Sequence, residues 1–401
     1  MKKLIAFTLI GVSAAFAVSA SHADPIEIKD LGVLDGGTWS FAISMNDRGQ
    51  VAGNGDARGQ VGYYLPVLWH HGEIRELPLL PGDSDSNVHG INDRGDVVGW
   101  SGSNEHCPAN SLDLLKAGCA YTTLPTAVSW HDSTVDSLIP APAPSHTILG
   151  GNAFGITDEG DITLVTAHLT ATCSTFACVN ATRRASVLHD GVATELPPLP
   201  TGTFSVPHAI IAGGAVVGYS GYTSSNSGPK HAALWVGNDV TDLGTFPGGV
   251  NSEAWSLNRN GQIVGYGTGK TAAGVTYTHA ALWQHGDLMD LGTLPGGNLS
   301  IAFGINDRGQ IVGFSNTAPG GKPHAVLWEC GKVTDLGMLL GGDAARAMAI
   351  NNRGRIAGGS NGTDMDGVKF NEHAVLWTLH DGDHGCGEEH EDVDSRDGHN
   401  D

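Results

Sequence analysis

The last repeat of this chain lacks its final strand, and the residues after the N-terminal leader supply it. After Trp235 the chain reads VGNDVTDLGTFPGG, after Trp283 QHGDLMDLGTLPGG and after Trp328 ECGKVTDLGMLLGG. After Trp377 only TLHDGDHG and an acidic tail follow, whereas IEIKDLGVLDGG stands at Ile26–Gly37. A sequence permuted in this way closes a ring, with the first strand completing the last repeat.

Two anchors recur along the chain. One is INDRGQIVG-like, at Met45–Gly53, Ile91–Gly99, Ile156–Leu164, Leu257–Gly265, Ile305–Gly313 and Ile350–Gly358, with a degenerate copy at Ala209–Gly218. The other ends in Leu-Trp or a relative, at Trp69, Trp130, Leu188, Trp235, Trp283, Trp328 and Trp377. Both count to seven, and the second anchors are spaced 45 to 61 residues apart. Such periods, filled by short strands, belong to propeller blades rather than helical solenoids. The expectation is an all-β, seven-bladed β-propeller of four-stranded blades over residues 24–379.

In the clearest unit SIAFGI reads as strand a, QIVGFS as b, HAVLW as c and KVTDLG as d. Asn-Asp-Arg-Gly makes the a–b turn, Gly taking the positive-φ position. The turn carboxylates Asp47, Asp93 and Asp307 are expected to bond their own backbone. Alternation in strand a sets Ala302 and Gly304 against Ile301, Phe303 and Ile305, so small faces would receive the large faces of neighbouring blades. Only closure removes edge strands, so IEIKDLG is expected beside His373–Trp377, and a monomer is expected.

Residues 1–23 read as a secretory leader: Lys2 and Lys3, an apolar run Leu4–Val18, and Ser21-His22-Ala23 before Asp24. The run is too short for a stable membrane span. The expected location is therefore secreted or periplasmic. A formal net charge of −21 argues against nucleic acid or an anionic membrane as partner. Six cysteines in an exported chain favour disulfides. Cys107 and Cys119 flank one insertion and Cys173 and Cys178 another, which suggests local pairs. Cys330 and Cys386 would lie on one face of adjacent blades, and their bond would pin the tail. Fifteen pairings are formally open.

The repeats resemble the HAF family of probable extracellular repeats. The signature stands as His231-Ala232, His279-Ala280, His324-Ala325 and His373-Ala374, each running on to Leu-Trp, with DLGTLPGG and GINDRGQIVG beside it. Blades 1–3 depart, carrying Leu65-Pro66, Thr126-Ala127 and Arg184-Ala185 instead. The resemblance implies an exported, propeller-like repeat protein and carries over no catalytic residue.

The recurring His231, His279, His324 and His373 fall once per blade, which spreads them around the ring and suits hydrogen bonding within each blade better than a metal site. Residues that break the repeat are sharper candidates. The d–a and b–c loops share one face, and long b–c inserts at Ser101–Thr126 and Ala167–Arg184 place the variation at blades 2 and 3. Trp39 in the first d–a loop and Trp100 and Tyr121 beside the first insert are candidate stacking platforms for sugars. His89, His106, Arg183 and Arg184 are candidate polar contacts, and His208, like His89, replaces an apolar residue of strand a. Asp364 and Asp366 resemble part of a calcium loop whose twelfth position falls on His373 rather than Glu, so calcium stays open while no other cofactor is expected. The tail 380–401 is rich in carboxylates and histidines and reads as solvated and disordered.

No HExxH or Walker A sequence is present. The expectation is a binding module for an extracellular polysaccharide or protein. A polysaccharide-acting lyase or hydrolase with its site on the blade 1–3 loop face is the alternative.

Overall fold

A computed structural model describes residues 26–57, 64–102, 125–139, 148–169, 181–222, 228–363 and 369–379. They form seven four-stranded antiparallel sheets and no helix, and the sheets make a seven-bladed β-propeller. Strand a lines the axis in each blade: Ser40–Met45, Asp85–Ile91, Ile148–Ile156, Phe204–Ile210, Ser252–Leu257, Ser300–Ile305 and Ala345–Ile350. The first six blades follow chain order. In the seventh, Glu27–Gly32 is the outermost strand and pairs with Lys369–Thr378, matching Ile28 to Trp377 and Gly32 to Ala374.

The core lies between blades. Trp130, Trp235 and Trp377 are fully buried, and the hydrophobic clusters straddle neighbouring sheets. Serine at the start of strand a ties blade to blade. Ser252 donates to Gly244 and accepts from Ala232 N–H of the preceding blade, and Ser300 repeats this with Gly292 and Ala280. Ser40 makes the same relay to Gly32 and Ala374, so the ring closes by the ordinary blade–blade junction.

The turn carboxylates do not bond their own backbone. Asp47, Asp93 and Asp307 accept instead from a backbone N–H of the preceding blade: Asn352, Asp47 and Arg259 respectively. The turn's own amides are served by its leading asparagine, as Asn306 Oδ1 accepts from Arg308 and Gln310 N–H. That service frees the aspartate to reach across. A second ring runs beneath, through Asn46, Asn92, Asn258, Asn306 and Asn351 side-chain amides to the next blade's carbonyl.

Strand a departs from regular alternation. In blade 6 Ala302 pairs with Gly313 and Gly304 with Val312, so Phe303 is an extra residue without a partner. The same excess occurs at Ile43, His89, His208, Trp255 and Met348, and between Ala153 and Ile156 in blade 3. A β-bulge re-aims the side chain it carries. The large residues therefore line the axis rather than entering the blade–blade interface. Strand b accommodates the bulge with glycine: a Cβ on Gly313 would stand 1.9 Å from the Ile301 carbonyl oxygen.

Candidate functional site: the axial chamber and its loop-side mouth

The bulges bring seven residues, one per blade, around the axis: Ile43, His89, Phe154, His208, Trp255, Phe303 and Met348. They line a chamber of about 300 Å³. Toward the a–b turns a collar of Met45, Ile91, Ile156, Ile210, Leu257, Ile305 and Ile350 follows, and beyond it lie the Asn and Asp turns.

Five consecutive blades contribute rings to an arc. His89 stacks on Phe154 with centroids 4.9 Å apart, and Phe154 lies 6.0 Å from His208. His208 stacks on Trp255 at 4.1 Å and 17°, and Phe303 meets Trp255 edge-on at 5.3 Å. Ile43 and Met348 leave the remaining wall aliphatic. Burial alone lowers the His89 imidazole to about 4. His208 is also lowered to about 4, by burial against the opposing bond to Ala254. Both are neutral at pH 7. His208 donates from Nδ1 to the Ala254 carbonyl at 3.0 Å, which leaves Nε2 as an acceptor. Seven buried side-chain polar atoms have no partner among the described residues, His89 Nε2, Trp255 Nε1 and Asn152 Oδ1 among them.

The loop-side mouth is polar and asymmetric. At blades 4 and 5 Lys230 forms an ion pair with buried Glu253, and its ammonium lies 4.8 Å from the Tyr219 ring centroid. Tyr266 donates to Glu253 at 3.0 Å. Burial lowers the Lys230 pKa and raises that of the Tyr266 hydroxyl. At blades 7 and 1, Arg346 lies 3.6 Å from Glu372, which also accepts a hydrogen bond from Trp39. Burial raises the Glu372 pKa against both. Trp39 meets Tyr64 edge-on at 5.2 Å. Gly359 stands where other blades carry Trp100, Tyr219, Tyr266 or Phe314, and its missing side chain leaves room for Phe41 and the Glu372 carboxylate.

These positions sort the sequence candidates. Trp39 stands at the mouth, half-buried and tied to blade 7. His89 lies in the chamber. Trp100 is only 7% exposed, packed at the end of strand b as its counterparts are. Arg183 lies over the Phe204 ring at 5.8 Å, on the side facing blade 4. Arg184 points away from it, pairing with Glu195 at 2.9 Å in a separate groove between blades 2 and 3. Tyr121, His106, Asp364, Asp366 and the cysteines other than Cys330 lie outside the described residues. Among the described residues no three His, Cys, Asp or Glu side chains are grouped to hold a metal. No described helix is long and apolar enough to cross a membrane. The four recurring histidines each pair with the strand d aspartate, His324 with Asp335 at 2.7 Å for example.

Phe154, Trp255 and Phe303 were not legible as channel residues, because strict alternation assigns them to sheet packing. The available signal was glycine inside strand b at Gly53, Gly99, Gly218, Gly265, Gly313 and Gly358, since an interior strand glycine marks a bulge opposite or within it.

No family model matches the chain, and no curated protein matches it. Among solved structures it is similar to an acylaminoacyl peptidase of Pyrococcus horikoshii, at 12% identity and TM-score 0.51, over 84% of this chain and 51% of that one. A puromycin-hydrolyzing peptidase of Mycobacterium tuberculosis matches at 10% identity and TM-score 0.53, over 86% and 55%. The β-propeller domain of the Trilobed protease from Pyrococcus furiosus matches at 9% identity and TM-score 0.47, over 86% and 96%. The chain spans about half the length of the first two, and at these identities the likeness is one of fold.

Proposed function

We propose that this chain is an exported binding module of the HAF-repeat kind, and that it takes an extracellular polysaccharide at the loop-side mouth of its axial channel. The observation that carries the reading is where the repeat is broken. Trp39, Glu372, Arg346, Lys230, Glu253 and Tyr64 have no common counterpart across blades, yet all lie toward the loop side, in one cluster at blades 4 and 5 and another at blades 7 and 1. Rigid scaffolds present recognition on such variable positions, and a mouth with aromatic rings and paired charges suits hydroxylated chains. The six cysteines fit an oxidising compartment outside the cytoplasm. A polysaccharide-acting lyase or hydrolase at the same mouth is the second reading, favoured only by the two neutral imidazoles beneath it.

A glycan array with the disulfide-intact protein, run with calcium and then with EDTA, tests the proposal. Saturable binding to one polysaccharide class is expected. A blank array in both conditions would transfer the role to a protein partner. Binding lost in EDTA would bring the Asp364 and Asp366 loop back as a calcium site.

A further inference from the structure

We propose that the groove between blades 2 and 3 binds a free, uncharged small molecule built on an indole, a flat bicycle carrying one N–H. The site is separate from the axial mouth and independent of the polysaccharide reading.

In six blades strand c ends on a tryptophan that is at most 4% exposed: Trp69, Trp130, Trp235, Trp283, Trp328 and Trp377. Its cross-strand partner on strand d is an aliphatic residue packed into the same cluster, as Ile74, Val135 and Val240 are beside Trp69, Trp130 and Trp235. Blade 3 is reduced at both positions. Leu188 stands in the place of the tryptophan and Ala193 in the place of its partner, and the two pair with each other. What an indole fills at the other junctions is here a groove of about 550 Å³, within the range of small-molecule pockets. Among the described residues, Leu138 and Ile139 of blade 2 form one wall, and Leu164, Ala185, Leu188 and Ala193 of blade 3 the other. An apolar cavity of roughly 150 Å³ already accepts benzene, so a bicycle with a substituent has room.

The polar groups of the groove select the ligand further. Trp130 and Trp235 donate from Nε1 to the carbonyls of Pro78 and Pro197 in the preceding blade, each at 2.7 Å. Ile139 holds that position in blade 2. It follows Leu138, whose N–H bonds the Ala127 carbonyl as the Leu77 N–H bonds that of Pro66. The Ile139 carbonyl accepts from Ser137 Oγ at 2.8 Å and keeps a second lone pair for a ligand N–H. At the rim Arg184 and Glu195 pair with each other at 2.9 Å and neutralise one another. A charged ligand would therefore lose hydration against apolar walls with no free counter-charge to replace it. Arg184, Gly191 and Glu195 are exposed where they line the groove, so it opens to solvent there. Walls on two blades enclose a small molecule from both sides, which favours a free ligand over a side chain offered by a flat partner surface.

Calorimetry and ligand-observed NMR with indole test the site. Saturable binding is expected, and indene, which keeps the bicycle and lacks the N–H, should bind about fivefold weaker. Leu188→Trp, which installs the residue of the other six blades, should abolish indole binding with a melting temperature at or above that of the parent. If that variant does not fold, Ala193→Ile should keep the fold and weaken indole at least about tenfold. Failure of the folded parent to bind indole overturns the site, and so does unchanged binding by a folded Leu188→Trp or Ala193→Ile. Indene binding as tightly as indole overturns the role of the N–H and with it the indole chemistry. A tryptophan-containing peptide bound where indole is not overturns the free ligand and gives the groove to a partner chain.

Discussion

His373 Nδ1 lies 2.9 Å from Asp30 Oδ2, although 343 residues separate them in the chain. The same pair joins His231 to Asp242, His279 to Asp290 and His324 to Asp335, always eleven residues apart. The contact between the two ends of the molecule is thus a repeat contact with the chain cut between its halves. In Asp30 burial works to raise the pKa, but the bonds from His373 and Gly32 outweigh it and leave it lowered.

Removing Ile26–Gly32 should therefore open the ring. Strand c of blade 7 would become an edge, and Ile26 and Ile28 would leave the cluster around Trp377. The expected result is a clear loss of melting temperature with aggregation on size exclusion. Asp30→Ala alone should cost roughly 1 kcal/mol or less, because the pair is partly exposed. A truncated protein that melts with the parent contradicts the closure.

The bulge makes its own demand on strand b. Gly313→Ala puts a methyl group 1.9 Å from the Ile301 carbonyl oxygen, which forces the backbone to move. Overpacking of this kind costs about 1–3 kcal/mol, measurable as a lowered urea midpoint. Unchanged stability would mean that the bulge relaxes into regular pairing, and with it that Phe303 leaves the chamber.

Seven blades, their strand order and the closing strand follow from the spacing of the Leu-Trp anchors and from the permuted IEIKDLG. Their legibility has a physical basis: the repeat has one way to bury its faces, and the missing strand has one edge to fill. The bulge escaped because an inserted residue changes which side chains face the axis without changing composition or spacing. The cross-blade role of Asp47 escaped for a related reason. A turn aspartate has two sets of amides within reach, and the choice depends on Asn46 having already taken its own.

Acid should loosen the chamber. His89 and His208 fall from about 6.5 to about 4 on folding, so the unfolded chain binds more protons between those values. Stability is full above pH 6.5 and is lost as pH falls toward 4. The upper bound is roughly 3 kcal/mol for each imidazole, since a tenfold change in proton affinity is worth about 1.4 kcal/mol. Urea melts from pH 7.5 to 4 should show this slope, and His208→Phe should flatten it. Imidazole titration near 6.5 in the folded protein would contradict the burial.

Peptide mapping without reduction should find Cys330 joined to Cys386. Cys330 occupies the c–d turn of blade 6 with φ 52°, on the face where the strand c end of blade 7 emerges. Cys386 recovered as a free thiol would rule that bond out.

The most direct measurement compares polysaccharide binding by the parent with a Trp39→Ala, Arg346→Ala double variant, both verified as folded by their melts. The variant should lose affinity at least about tenfold, because both side chains stand at the mouth around Glu372. Binding by the double variant equal to that of the parent would contradict recognition at the axial mouth and move it elsewhere on the ring.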